Sequence, residues 1–286
     1  MNSSTNLPEV IYTPESQLRR PGMLIRNMFA DIKNSKELAW RLMVRNIAGM
    51  YRQSLIGIGW AFIMPVITTM TWIFLNGTGI VKLDKTPIPY ALYTFSGTLL
   101  WQIFVDALNS PIREVARSRA MLTKINFPKE AIIISGIGEV LFNASIRLLL
   151  IIPVLFIFKI NPGFTAIFTL FGVIVLVIAG VSLGLFLTPL GTLYLDIGRG
   201  LMLITTFWMY ITPVVFPIKT EGFAGFIFRY NPMTYLIMTT RDLITGQPLV
   251  FLPQFFIVLA GILVLFFIAC ILYRIAMPHL ISRIGA

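Results

Sequence analysis

The sequence predicts an all-α integral membrane protein. Six transmembrane helices are expected, with an N-terminal amphipathic interface helix before them and a re-entrant element before the last span. Three observations predict it. Of 286 residues, 57% are hydrophobic and 12% charged, whereas a soluble domain carries about a quarter charged residues. Apolar runs of roughly 20 residues, the length a helix needs to cross a bilayer, recur along the chain. The 23 Lys and Arg residues fall unevenly on alternate connections, as the positive-inside bias requires.

Composition also removes several function classes. A net charge of +11 here reflects cytoplasmic loops and anionic headgroups rather than nucleic acid, because no basic, aromatic-studded module is present. Cys270 is the only cysteine and His279 the only histidine. An intrachain disulfide is therefore excluded, a Cys/His metal cluster lacks ligands, and a Ser–His–Asp hydrolase would depend on a histidine near the chain end. No GxxxxGK[ST] loop or strand-borne GxGxxG turn occurs, so the chain is not itself a P-loop ATPase. No HExxH and no paired carboxylates on one helix face are found, and no catalytic or metal site is predicted.

The elements follow in order. Residues 1–30 form a polar cytoplasmic arm, without the apolar core and small-residue cleavage site of a signal peptide. Residues 31–57 make the interface helix and an entry loop. Trp40, Met43, Val44, Ile47 and Tyr51 recur at helical spacing, while Glu37, Arg41, Arg45 and Arg52 fall on another face, which describes a helix at the membrane surface. The membrane domain occupies 58–286, with spans at 58–80, 90–112, 131–158, 164–190, 200–216 and 251–276. The stretch 223–243 is moderately apolar but broken by Gly225 and Asn231-Pro232, with Gly246 just beyond it. It reads as a re-entrant pair of half-helices, which membrane depth allows only where protein or water satisfies the backbone. The alternative is a seventh span and an outside C-terminus. With six spans, sixteen Lys and Arg lie inside and six outside, favouring cytoplasmic N- and C-termini.

Three ionisable residues fall within spans: Asp106, Glu139 and Arg147. Such residues face a bundle interior or a cavity. Glu139 and Arg147 are eight apart and share a flank without touching. Asp106 and Arg113 lie on nearly the same face, with Asn109 placed to join them. Inter-helix adhesion and a proton relay are the two readings. Gly180 and Gly184 form a GxxxG, which suits close packing inside the subunit or a dimer seam. Aromatic rings stack on the C–H faces of sugars without fixing hydroxyls, so Phe74, Trp101, Phe104 and Trp208 are candidates to line a conduit. The other reading makes them interfacial anchors.

Five motifs in order resemble the membrane subunit of type 2 ABC exporters, closest to the branch that exports O-antigen, capsular or teichoic-acid polysaccharide. They are Tyr51-Arg52-Gln53-Ser54-Leu55-Ile56-Gly57 with Trp60 and Pro65, and Phe95-Ser96-Gly97 with Leu100-Trp101. Next come Leu122 to Glu130 around Asn126-Phe127-Pro128, and Asp196-Ile197-Gly198-Arg199 with Thr212-Pro213-Val214 and Pro217. The last is Asn231-Pro232-Met233-Thr234 with Arg241. The resemblance covers roughly residue 41 to the end. Asn143 stands where the family often has an acidic residue, and Glu139 and Arg147 have no counterpart in its pattern.

The resemblance implies a permease in the bacterial inner (cytoplasmic) membrane, working as a homodimer with two copies of a separate ATPase. This chain would need no cofactor; the partner would bind ATP and magnesium. The cargo would be a lipid-linked polysaccharide, and membrane lipids would surround the pair. Arg52, Leu55, Gly57 and Trp60 would form the substrate entrance, where an Arg fork and exposed amides suit phosphate. Arg117, Arg119, Lys124 and Phe127 would couple to the ATPase. Asn231, Pro232 and Arg241 would belong to the re-entrant gate. A drug or small-lipid exporter, a membrane-embedded glycosyl- or acyltransferase and an ion-coupled transporter are the alternatives. The first wants an apolar pocket, the second a convergent acidic or His site, the third a second broken helix.

Overall fold

The computed structural model describes residues 21–52, 59–81, 85–125, 127–218 and 221–284. These are helical, with no strand among them. In chain order the helices are α1 (Pro21–Asn34), α2 (Lys36–Arg52), α3 (Trp60–Gly77), α4 (Tyr90–Arg117), α5 (Arg119–Lys124) and α6 (Glu130–Ile157). A 3-10 turn (Gly163–Phe168) leads into α7 (Thr169–Leu193). Then follow α8 (Leu195–Tyr210), α9 (Gly222–Tyr230), α10 (Pro232–Thr245) and α11 (Leu252–Ile284).

By length and composition, three helices among the described residues suffice to cross a membrane: Glu130–Ile157, Gly163–Leu193 and Leu252–Arg283. Ile63–Gly77 is a shorter apolar helix. The chain is thus a multi-pass membrane protein. Helix α4 is also 28 residues long, but Thr94, Ser96, Thr98, Gln102, Asp106 and Asn109 dilute its hydropathy. The reason is its position: α4 is the centre of the bundle, packed on α3, α6 and α7, and so faces mostly protein, with a half-exposed strip at Gln102, Val105, Asp106 and Asn109. Two of its hydroxyls turn back on the helix, Ser96 donating to Leu92 O at 2.7 Å and Thr98 to Thr94 O at 2.9 Å. A polar side chain satisfied this way is tolerated in an apolar interior.

Glycines on α7 set the closest approach in the core. A Cβ at Gly180 would lie 2.6 Å from both Ala107 Cβ and Phe104 O, and one at Gly184 would collide with Leu108 O. The GxxxG is therefore the seam between α7 and α4 inside the subunit. The other side of α7 packs on α11.

Helix α1 starts at Pro21, a residue preorganised for a first helical turn, so helix begins inside the stretch expected to be an arm. Helix α2 has two apolar faces. Ala39 and Leu42 are buried, and the helix packs on α6, where Met43 fills the space above Gly138. Trp40 and Val44 face outward. The expected fifth span ends earlier than its apolar run, because α8 stops at Tyr210 and 211–215 is a non-helical turn with Thr212, Pro213, Val214 and Val215 buried. At 16 residues α8 is about 24 Å long. The broken stretch after it is resolved into α9 and α10, meeting at Asn231-Pro232.

Candidate functional site

The functional candidates gather into polar hubs at the two ends of α4. At the Arg117 end the hub is ionic. Glu139 of α6 is fully buried. It accepts from Arg113 Nη2 at 2.9 Å and Arg117 Nη1 at 3.0 Å. Arg117 Nη1 is also 3.0 Å from Glu114 Oε1. The other oxygen of Glu114 accepts from Asn46 Nδ2 of α2 at 2.7 Å, and Arg45 Nη2 lies 3.1 Å from Asn46 Oδ1. Two carboxylates, two arginines and one amide thus tie α2, α4 and α6 together. Gly136 makes the approach possible, since a Cβ there would stand 2.6 Å from Ser110 Oγ and 2.7 Å from Glu114 Cγ. Both arginine side chains remain 36% exposed, so the charges are paired but not sealed.

A second ionic junction joins the chain's two ends. Arg274 of α11 donates to Asp31 of α1 and to Glu130 of α6, each at 2.6 Å. Next to it, Tyr273 donates to Lys129 O at 3.3 Å. Burial holds the Lys129 ammonium below the ordinary lysine pKa; Glu130 opposes that shift, Arg274 adds to it and Asp31 opposes it again. Nothing in the sequence pattern signals that Arg274 reaches α1.

At the Tyr90 end the hub is built on backbone carbonyls. The turn 211–216 leaves helical hydrogen bonding while buried, so its carbonyls need other donors. Tyr93 supplies one proton shared between Pro213 O (3.2 Å) and Phe216 O (3.1 Å). Arg241, 2% exposed, donates from Nη2 to Val214 O at 2.8 Å. Its guanidinium carbon lies 3.7 Å over the Tyr93 ring, a cation–π contact. Asn231 uses its whole amide. Nδ2 donates to Ile211 O (3.0 Å) and Thr212 Oγ1 (2.8 Å), and Oδ1 accepts from Trp208 Nε1 (3.1 Å) and Met233 N (3.1 Å). The last bond caps α10, whose first residue is Pro232. Gly97 completes the hub, because a Cβ there would collide with Arg241 Nη2 and Val214 O. The Phe95-Ser96-Gly97 and Arg241 motifs, 144 positions apart in sequence, therefore meet.

The remaining expected residues fall as follows. Arg52 ends α2 and is exposed; Trp60 opens α3 and is half exposed; Leu55 and Gly57 lie outside the described residues. Phe74 is 64% exposed. Trp101 and Phe104 are buried in the core instead, edge-on to Trp208 at ring distances of 6.0 and 5.5 Å. Within this single chain neither ring has an exposed face, and their neighbour on the other side is Trp208, half-buried and fixed by Asn231. Of the expected coupling residues, Arg117 is held by the ionic hub and Arg119 by Thr192 O at the C-terminal end of α7. Phe127 packs on the core, while Lys124 faces outward at the end of α5. Asp106 does not reach Arg113; it pairs with Arg147 at 2.6 Å, and Asn109 donates to Val105 O. Tyr93, Asn46, Glu114 and Asp31 were not singled out from the sequence. A signal existed only for Glu114, which stands beside Arg113 and three residues before Arg117.

Over 201 residues the chain is 25% identical to the O-antigen export system permease protein RfbA of Myxococcus xanthus, covering 68% of this chain and 75% of that one. Over 202 residues it is 24% identical to the RfbA permease of Klebsiella pneumoniae, covering 68% and 74%. The model of the ABC-2 type transporter family matches residues 37–245, from the start of α2 to the end of α10 and thus across both hubs. The chain belongs to the ABC-2 type transporter family.

Proposed function

We propose that this chain is the permease subunit of an ATP-driven exporter that moves a lipid-linked polysaccharide across the bacterial inner membrane. The observation that carries the reading is the similarity to two O-antigen export permeases over about two thirds of the chain. Two copies would work with two copies of a separate ATPase, which would hold ATP and magnesium, since this chain has no phosphate loop.

In this reading α3, α4, α6, α7, α8 and α11 cross the membrane, with both termini and the Arg117 end of α4 in the cytoplasm. The positive-inside split supports that orientation. The pair α9–α10 re-enters from the outer side, and the satisfied carbonyls of 211–216 support irregular backbone at depth there. Asn231, Pro232 and Arg241 then belong to an outer gate, with Tyr93 added to them. Arg52, Leu55, Gly57 and Trp60 remain the entrance proposal. Phe74, Trp101, Phe104 and Trp208 remain the proposed conduit lining, of which Phe74 is exposed and Trp208 half-buried in the single chain. Lys124 on α5 is the coupling residue best placed to meet the ATPase. ATP closure would bias two packings of the dimer by differential binding energy.

Deleting the gene should abolish surface polysaccharide and leave lipid-linked polymer on the cytoplasmic side, with both restored by the intact chain. Normal surface polymer in the deletion strain overturns the reading. Cysteine labelling should report Lys85, Asn161 and Gly222 outside and Ser282 inside; an outside signal at Ser282 overturns the six-span arrangement.

A further inference from the structure

The α4–α6 seam carries a second ionic rung that neither gate nor coupling uses. Asp106 Oδ2 and Arg147 Nη2 are 2.6 Å apart. Seven residues separate Asp106 from Arg113 and eight separate Glu139 from Arg147, so the antiparallel helices hold two rungs two turns apart. Asn109 and Asn143 lie between them, both half-buried. The polar seam thus runs from the exposed arginines at the end of α4 inward. Asp106 sits about 16 Å along α4 from Arg117, within the apolar run. Its side chain is 31% exposed and that of Arg147 12%, so the rung is open on one side at a depth where bare hydrocarbon is costly.

The arginine is underused. It has five N–H donors, yet Nη2 serves Asp106 while Nε and Nη1 are buried without a hydrogen-bond partner among the described residues. The complement to a guanidinium with spare N–H groups is an oxygen-rich anion. An anion reaching this depth from the side must be attached to something that itself prefers hydrocarbon. We propose that the Asp106–Arg147 rung binds the phosphate of a membrane amphiphile, with the lipid tail left in the bilayer and Arg113 and Arg117 marking its path from the cytoplasmic edge. This rests on the export reading, and within it the amphiphile is the lipid carrier of the polymer. Asp106 holds Arg147 in place and keeps the empty rung neutral.

The test uses the purified full-length permease and needs no ATPase or polymer. Retention of a long-chain polyprenyl phosphate and, separately, of phosphatidylglycerol is measured by native mass spectrometry for the unaltered chain, Arg147→Lys and Asp106→Asn/Arg147→Gln. Lysine keeps the ion pair but not the spare guanidinium donors, so a merely structural bridge tolerates it. Both variants should lose polyprenyl phosphate by about tenfold and keep phosphatidylglycerol. Loss of both lipids together still supports a lipid-phosphate site but assigns it to bilayer lipid. Unchanged retention of both lipids in folded Arg147→Lys overturns the proposal, and that variant alone decides if the double one does not assemble. Because binding is read without transport, a negative result removes the site and leaves the export reading standing. Failed export with intact binding does the reverse.

Discussion

The two ends of α4 solve the same problem with different chemistry. At the Tyr90 end, Tyr93, Asn231 and Arg241 donate to carbonyls of one unwound segment. Those acceptors are fixed in the main chain, and the donors are almost fully buried. At the Arg117 end, Glu114 and Glu139 share Arg117, and both arginines are partly open to solvent. A carbonyl clamp holds its donors to acceptors that cannot be exchanged. An ionic cluster with shared partners has several of similar energy, because an exposed guanidinium can trade a carboxylate for water. One end of the central helix is therefore built to stay and the other to rearrange. In the proposed exporter the rearranging end is the one nearest the ATPase.

Asn231→Ala should break the clamp with the largest effect. It removes four hydrogen bonds, one of them the α10 cap, leaving Ile211 O and Trp208 Nε1 without these partners at a part-buried site. Each buried orphan costs about 1–3 kcal/mol and a lost cap about 1. A loss of about 3 kcal/mol is expected, read as a lower apparent melting temperature and earlier proteolysis within 211–216. Asn231→Asp keeps the acceptor half and should fall between. A melting point unchanged in Asn231→Ala would break the comparison at its rigid end.

Glu139→Gln should cost less, about 1 kcal/mol. The amide oxygen still accepts from one arginine, and the other turns to Glu114 or to water, so the nominal strength of a buried ion pair must be discounted for the exposure of the arginines. The same variant should loosen α2 from α6, seen as faster hydrogen exchange in 39–46. If Glu139→Gln destabilises as much as Asn231→Ala, the two hubs are equally rigid and the distinction fails.

Much of the all-helical fold was legible in the sequence, and so was the helix break at Asn231-Pro232. Apolar run length exposes α6, α7 and α11 because those helices meet lipid or an apolar core. The break at Asn231-Pro232 is visible because proline and a capping residue stand together. What composition cannot supply is partner identity. Asp106 and Arg113 share a face of α4, but α6 faces them both and its own charges decide the pairing, sending Asp106 to Arg147 and Arg113 to Glu139. The burial of Trp101 and Phe104 was not legible, because hydropathy does not separate a lipid-facing helix from a central one. The burial of α4 follows from the glycines of α7, whose contacts exist only in three dimensions.

The smallest expected effect on stability belongs to Lys124→Glu, and it sharpens the comparison from outside the hubs. Lys124 is exposed at the end of α5, and charge reversal at such a position usually changes stability by within about 0.5 kcal/mol. Helix α5 is nonetheless anchored at both ends. Arg119 reaches Thr192 O on α7, and Leu122 is buried in the core. A force on its exposed tip is therefore delivered to the Arg117 end of α4, one residue away across Ser118. If that end is the part that rearranges, the variant should insert and melt as the unaltered chain does. Polysaccharide export should fall severalfold at matched permease levels, together with co-purification of the ATPase or its stimulation by the permease. Charge reversal on the ATPase surface that meets α5 should restore export. Arg117→Glu in the same assay should lose stability as well, since it breaks pairs with Glu114 and Glu139. Full export by Lys124→Glu would mean that α5 transmits nothing through its tip. The ionic hub would then be a plain fastening like its counterpart at the other end.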